Sequence, residues 1–227
     1  LKNPVMVASG TFGYGTEYAD LVDTALLGAV VTKAVTLRPR EGNPFPRIWE
    51  TPCGVLNSIG LENVGVEAFL EEKLPGLLSL GTKVIVNVAG SEIAEYVEVV
   101  KRIQGEGVDA VELNLSCPNV KEGGMAFGMD QRATSEVVGA VRSATPLPLL
   151  VKLTPNLSLL GEVARSAASA GCDGLTLVNT FLGLAVDIET WKPRLGGVTG
   201  GLSGPAIKPL ALHRVWDVAR TVNVPVI

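Results

Sequence analysis

Basic charge, histidine, paired cysteine and long apolar runs are all scarce in this chain, and each scarcity closes off a class of function. Lys and Arg number 19 against 23 Asp and Glu, a net charge of -4 in 227 residues. Phosphate-backbone binding calls for clustered Lys and Arg, so nucleic acid is not an expected partner. The one histidine, His213, falls on a helical pattern after Pro205 and reads as a surface or packing residue, which argues against a Cys-His hydrolase. The three cysteines, Cys53, Cys117 and Cys172, are odd in number and lack CxxC spacing, so neither a disulfide framework nor a metal site is expected, and a reducing cytoplasm fits. No apolar run reaches the roughly 18 residues of a membrane span, and no signal-peptide pattern is present. No Gly-x-Gly-x-x-Gly follows the first strand pattern and no Walker A sequence occurs, so the usual phosphate cradles are missing. The chain opens on Leu1 rather than Met, and is read as lacking its natural start.

What is present is apolar and evenly punctuated. With 47% hydrophobic residues, the chain is expected to bury one large core as a single α/β domain over 1–227. Seven short β-branched runs recur: Pro4-Ala8, Ala29-Thr32, Lys83-Val88, Ala110-Leu113, Leu149-Leu153, Gly174-Val178 and Val224-Ile227. Most are continuously hydrophobic, as parallel strands covered on both faces should be. Helical stripes lie between them. Thr16 is a plausible N-cap for Tyr18, Leu21, Val22, Ala25 and Leu26, ended by Gly28. Ser91 precedes Ile93, Tyr96, Val97, Val100 and Ile103; Ser158 precedes Leu160, Val163, Ala164 and Ala167; Pro205 leads Ile207, Leu210, Ala211, Val215 and Val218. Two connections, Lys33 to Lys83 and Thr180 to Pro225, are too long for a simple crossover helix and are expected to form lids or binding loops.

The residue at or just past the end of each of six consecutive strands is polar: Ser9, Lys33, Asn87, Asn114, Lys152 and Asn179. An Asn at a strand end has the blander task of capping the next turn, and a Lys can simply reach solvent. Six together point to a β/α barrel, whose strand ends converge on one face; an open Rossmann-type sheet needs only a few such residues at its switch point. A buried Lys also calls for an anionic partner, which a ligand with carboxylate or carbonyl groups would supply.

The most specific local pattern is Asn114-Leu115-Ser116-Cys117-Pro118-Asn119. Cys172 sits in an apolar approach to a strand and reads as a small buried hydrophobe; Cys117 lies past a strand end, on a loop between two asparagines. A thiol there can serve as nucleophile or general base.

These segments, with Asn3-Pro4, Ala8-Ser9-Gly10, Thr32-Lys33-Ala34-Val35-Thr36, Gly54-Val55-Leu56-Asn57-Ser58-Ile59-Gly60-Leu61, Val151-Lys152-Leu153, Asn179-Thr180 and Gly200-Gly201-Leu202-Ser203-Gly204-Pro205, give the whole chain a close resemblance to the class 1 dihydroorotate dehydrogenases. The resemblance implies a (β/α)8 TIM barrel that binds FMN and oxidises dihydroorotate to orotate in pyrimidine (UMP) biosynthesis. It makes Cys117 the base that removes the C5 proton. It gives substrate contacts to Lys33, Asn57, Ser58, Ile59, Gly60, Leu61, Asn114, Asn119, Asn179 and Thr180. It gives flavin contacts to Ser9, Lys33, Ala34, Asn87, Asn114, Lys152, Val178 and Gly204. The wording of Thr11-Phe12-Gly13-Tyr14-Gly15 and Phe181-Leu182-Gly183 is most similar to class 1B, whose electrons pass to NAD through a partner subunit carrying FAD and an iron-sulfur cluster. A homodimer is also implied, with no membrane and no bound metal on this chain.

The sequence stops at Pro225-Val226-Ile227, where a seventh strand emerges, so the barrel is expected to be truncated before its eighth βα unit and the FMN-phosphate loops of the family. The competing readings are a fumarate-linked class 1A enzyme, another pyrimidine-directed flavin reductase, and a non-catalytic barrel scaffold.

Overall fold

A computed structural model describes residues 1–115 and 127–227. Six parallel strands form a curled sheet in the order β1-β2-β5-β6-β7-β8: β1 Met6–Val7, β2 Ala29–Val31, β5 Lys83–Val88, β6 Ala110–Asn114, β7 Leu149–Lys152 and β8 Gly174–Thr176. Sequence order is spatial order, as in a (β/α)8 barrel. A parallel bridge from Leu175 to Val226, with Leu175 N–H donating to Pro225 O at 2.9 Å, begins a seventh strand.

The continuous hydrophobicity of these strands follows from burial on both faces. Val84, Val86 and Val88, Val111 and Leu113, Leu149 and Val151, and Leu175 pack outward against the helices. Ala29, Val31, Ile85, Ala110 and Leu150 form a separate, smaller cluster on the other face, toward the barrel axis. Because side chains alternate, the axial face continues through Asn87, Glu112, Asn114, Lys152 and Thr176. The barrel interior therefore changes from apolar to polar toward the C-terminal strand ends.

Helices α3 Ile93–Ile103, α4 Gln131–Ala144 and α5 Leu160–Ser169 cover the outer face. The stripe Leu160, Val163, Ala164 and Ala167 is buried as its spacing predicts, and so are Tyr96, Val100 and Ile103. Asp130 caps α4 by accepting from Ala133 N–H at 2.8 Å. Arg142, near the end of α4, donates to Leu147 O and Asp173 Oδ2, each at 2.9 Å, and Asp173 Oδ2 also accepts from Leu149 N–H at 2.8 Å. This fastens the helix end to the starts of β7 and β8.

Two helical expectations are corrected. Residues 16–26 do not form a crossover helix: two isolated 3-10 turns, Thr16–Tyr18 and Thr24–Leu26, take its place, and Leu21 is 80% exposed. The Glu17 carboxylate folds back to accept from Tyr14 and Gly15 N–H, and extended Asp23 caps a separate turn through Ala25 N–H, so no continuous ladder propagates. Pro205 heads a 3-10 turn rather than the helix; α6 Lys208–Ala219 follows, and of the stripe assigned to it only Val218 is buried. His213 on α6 is exposed beside Trp216.

The two long connections meet. Strands β3 Ile48–Thr51 and β4 Gly54–Asn57 from the first, and β9 Phe181–Leu184 and β10 Thr199–Ser203 from the second, build one antiparallel sheet in the order β3-β4-β10-β9. The first connection also holds α1 Gly65–Ala68 and α2 Leu74–Leu78, joined by a π-helical turn. Both connections leave from C-terminal strand ends, of β2 and β8, so the small sheet is rooted at the polar end of the barrel.

Candidate active site

The strand ends carry polar side chains that the barrel buries. Asn87 is fully buried and Glu112 is 1% exposed; Asn114 and Lys152 are also buried. Asn87 and Glu112 are register partners on β5 and β6, and Asn87 Nδ2 donates to Glu112 Oε1 at 2.6 Å. Asn114 and Lys152 are register partners on β6 and β7, and Lys152 pairs in turn with Thr176 on β8. No salt bridge engages Lys152 among the described residues. Asn87 Oδ1 and Thr176 Oγ1 are buried without any hydrogen-bond partner among the described residues. An unsatisfied buried polar atom costs about 1–3 kcal/mol, so a barrel mouth holding two of them beside a buried ammonium is prepared for a polar ligand rather than for its own packing.

The other expected residues fall around this group. Asn179 follows β8 and its Nδ2 reaches Asn114 Oδ1 at 3.5 Å; Thr180 N–H donates to Asn179 Oδ1 at 2.8 Å. Lys33, half-buried, and buried Ala34 lie just past β2, with Lys33 N–H donating to Gly13 O. Half-buried Ser9 sits in the turn after β1, and half-buried Val178 follows β8 through a cis Leu177–Val178 peptide.

Asn57 ends β4, where its Nδ2 donates to Gly201 O at 3.2 Å, linking the two long connections. Ser58 Oγ accepts from Asn43 Nδ2 at 2.9 Å, and Ile59 O accepts from Asn43 N–H at 3.0 Å. Gly60 and Leu61 both take positive φ, 76° and 57°. That conformation is unfavourable for Leu and persists only where surroundings enforce it. The enforcing group is Asn63, whose Nδ2 donates to Leu61 O at 2.8 Å while its Oδ1 accepts from Gly65 N–H and from the Thr36 amide. The loop 57–61 is thus tied back to the segment leaving β2. Gly204 packs instead at the far end of β4, where a side chain on it would meet Gly54.

Three residues unmarked in the sequence complete the picture. Glu112 and Thr176 share the axial face with Asn87 and Lys152; Asn156, after β7, donates to Thr180 O and accepts from Leu182 N–H, anchoring the start of β9. The first two gain meaning once the axial face is known, Glu112 standing two positions past axial Ala110 on β6 and Thr176 two past Gly174 on β8. Cys117 and Asn119 lie outside the described residues. Among the described residues no cluster of His, Cys, Asp or Glu could hold a metal ion, and no helix is long and apolar enough to cross a membrane.

Comparison with known proteins agrees with this geometry. The dihydroorotate dehydrogenase family model matches residues 1–227. Catalytic subunits of dihydroorotate dehydrogenase B (NAD(+)) from Citrifermentans bemidjiense and Bacteroides thetaiotaomicron are 53% and 52% identical over 228 residues, covering 100% of this chain and 75% of each relative. The corresponding subunit from Pelobacter propionicus is 54% identical over the same span. A polar barrel mouth, a connecting sheet rooted beside it and a family match over the full length converge on one conclusion: this chain belongs to the dihydroorotate dehydrogenase family.

Proposed function

We propose that this chain is the FMN-binding catalytic subunit of an NAD-linked, class 1B dihydroorotate dehydrogenase, oxidising dihydroorotate to orotate in pyrimidine biosynthesis. The observation that carries the reading is the axial polar group of Asn87, Glu112, Asn114, Lys152 and Thr176. It suits a flavin: Lys152 offers a cation without a salt bridge among the described residues, Asn87 Oδ1 an open acceptor and Thr176 Oγ1 an open hydroxyl, matching a ring edge of alternating carbonyls and N–H. FMN, when bound, supplies the hydride acceptor.

The chain's own residues do the rest. Lys33 and the loop 57–61 bind the substrate carboxylate and ring edge, with Asn114, Asn119, Asn179 and Thr180 on the ring. Cys117 takes the proton from C5 while the hydride leaves C6, so the two departures leave the C5–C6 double bond of orotate. Lys152 would hold a positive charge against the bound flavin and so favour its acceptance of hydride, and Ser9, Lys33, Ala34, Asn87, Asn114, Val178 and Gly204 would complete the cofactor contacts. Electrons pass to NAD through a partner subunit carrying FAD and an iron-sulfur cluster. A homodimer of this single domain, in the cytoplasm, completes the reading.

Stopped-flow reduction by dihydroorotate tests it. Cys117→Ser is expected to slow flavin bleaching at neutral pH by about a hundredfold or more, since general base catalysis is worth about that much. Unchanged kinetics would remove Cys117 from the role; a flavin that dihydroorotate fails to reduce would sink the function. Steady-state turnover with NAD and not fumarate, in the presence of the partner, separates class 1B from class 1A.

A further inference from the structure

Asn87 has its backbone satisfied, its N–H donating to Thr32 Oγ1 at 3.2 Å and its carbonyl accepting from Val35 N–H at 2.8 Å. Its side chain is half satisfied: Nδ2 is held by Glu112 at 2.6 Å, and Oδ1 has no partner among the described residues. An amide can be turned end for end within the same volume, so something must choose this orientation. An ionised carboxylate accepts and cannot donate, so only the NH2 of Asn87 can face it; the reverse orientation would set Oδ1 against the carboxylate. Lys152 lies on the same axial face, on the strand that follows that of Glu112, two residues beyond Leu150, the register partner of Glu112.

Resting on the function proposed above, we propose that Glu112 is a positioning residue that locks the Asn87 amide with its carbonyl oxygen presented to the barrel mouth, as the acceptor for the N–H of a cyclic imide. Flavin and orotate both carry that group, an N–H between two carbonyls. Lys152, which only donates, and Thr176, which can donate, supply the complementary groups for the flanking oxygens. Glu112 itself acts through Asn87 and touches neither ligand.

A double-mutant cycle on the holoenzyme and its apoprotein tests this, reading the dissociation constant of FMN by flavin fluorescence and of orotate by the flavin absorbance change. Glu112→Gln is nearly isosteric but can donate as well as accept, so it releases the choice of orientation. It is expected to weaken one of the two ligands by about tenfold, the scale of one hydrogen bond, and the ligand that moves identifies the imide. Asn87→Leu should weaken the same ligand, and adding Glu112→Gln to it should cause no further loss. Losses that multiply, or affinities that stay within about twofold in Glu112→Gln, would overturn the positioning role while leaving the function standing. Binding of neither ligand by the unaltered protein would overturn both. If Glu112→Gln does not fold, Glu112→Asp, whose shorter reach also breaks the contact, enters the same cycle with the same expectations.

Discussion

The hydroxyl of Thr180 occupies the place of the side chain that Gly201 lacks: a Cβ on Gly201 would lie 2.0 Å from Thr180 Oγ1 and 2.6 Å from its Cβ. Thr180 leads directly into β9, and Gly201 is the β10 residue whose carbonyl accepts from Asn57. Gly201→Ala must therefore push Thr180 away or part β9 from β10. Overpacking of this kind costs about 1–3 kcal/mol. The expected outcome is a lower thermal midpoint and a raised KM for dihydroorotate, measured by thermal unfolding and initial rates.

Asn63 is a second lever on the same site, from the opposite side. Asn63→Ala strips partners from the Thr36 and Gly65 amides and from Leu61 O. With about 1–3 kcal/mol for each buried group left unsatisfied, a destabilisation of about 3 kcal/mol or more is expected. Hydrogen exchange should quicken around residues 57–65, and denaturant unfolding gives the magnitude.

Lys152→Met keeps the stem and removes the buried charge. With less stabilisation of negative charge, the bound FMN should be harder to reduce, its midpoint potential falling by about 30 mV or more for each tenfold loss in the two-electron equilibrium. Spectroelectrochemistry of the holoenzyme checks this, and an unchanged potential would move the cation's role elsewhere.

The cysteines should separate by reactivity. Burial pushes the Cys172 thiol from 9.0 up to about 11, opposed by its hydrogen bond to the backbone at Gly174. At pH 8 its thiolate fraction is then roughly one in a thousand, so alkylation of the folded protein should mark exposed Cys53 well before Cys172, as read by peptide mass mapping. The linkage has a definite sign. The neutral thiol is favoured in the folded state, so this contribution to stability is complete below pH 9.0 and is lost as pH rises toward about 11.

The fold was legible where burial on both faces made the strands continuous: Lys83–Val88 and Ala110–Asn114 stand almost where their apolar runs place them. Asn114 and Lys152 were legible for the same reason, as polar residues ending such runs. Glu112 was hidden because it sits inside its run, where only knowledge of which face looks inward gives it meaning. Residues 16–26 misled because periodicity counts positions and cannot see the Glu17 carboxylate capturing the Tyr14 and Gly15 amides. The joining of the two long connections was not legible at all, since pairing across that distance leaves no local pattern. Cys117 and Asn119 lie outside the described residues and remain assignments of the family resemblance.

That joining also sets an order of events during synthesis. The partner of Asn57 is Gly201, so 144 residues separate the donor from its acceptor. As the chain leaves the ribosome, β3 and β4 can form only a two-stranded hairpin, marginal by itself, until β10 follows. The loop 57–61 therefore waits on residues made long after it. The ligand site is completed late, after the parallel strands that hold it have been delivered, and a chain released early would carry the barrel wall without a finished mouth.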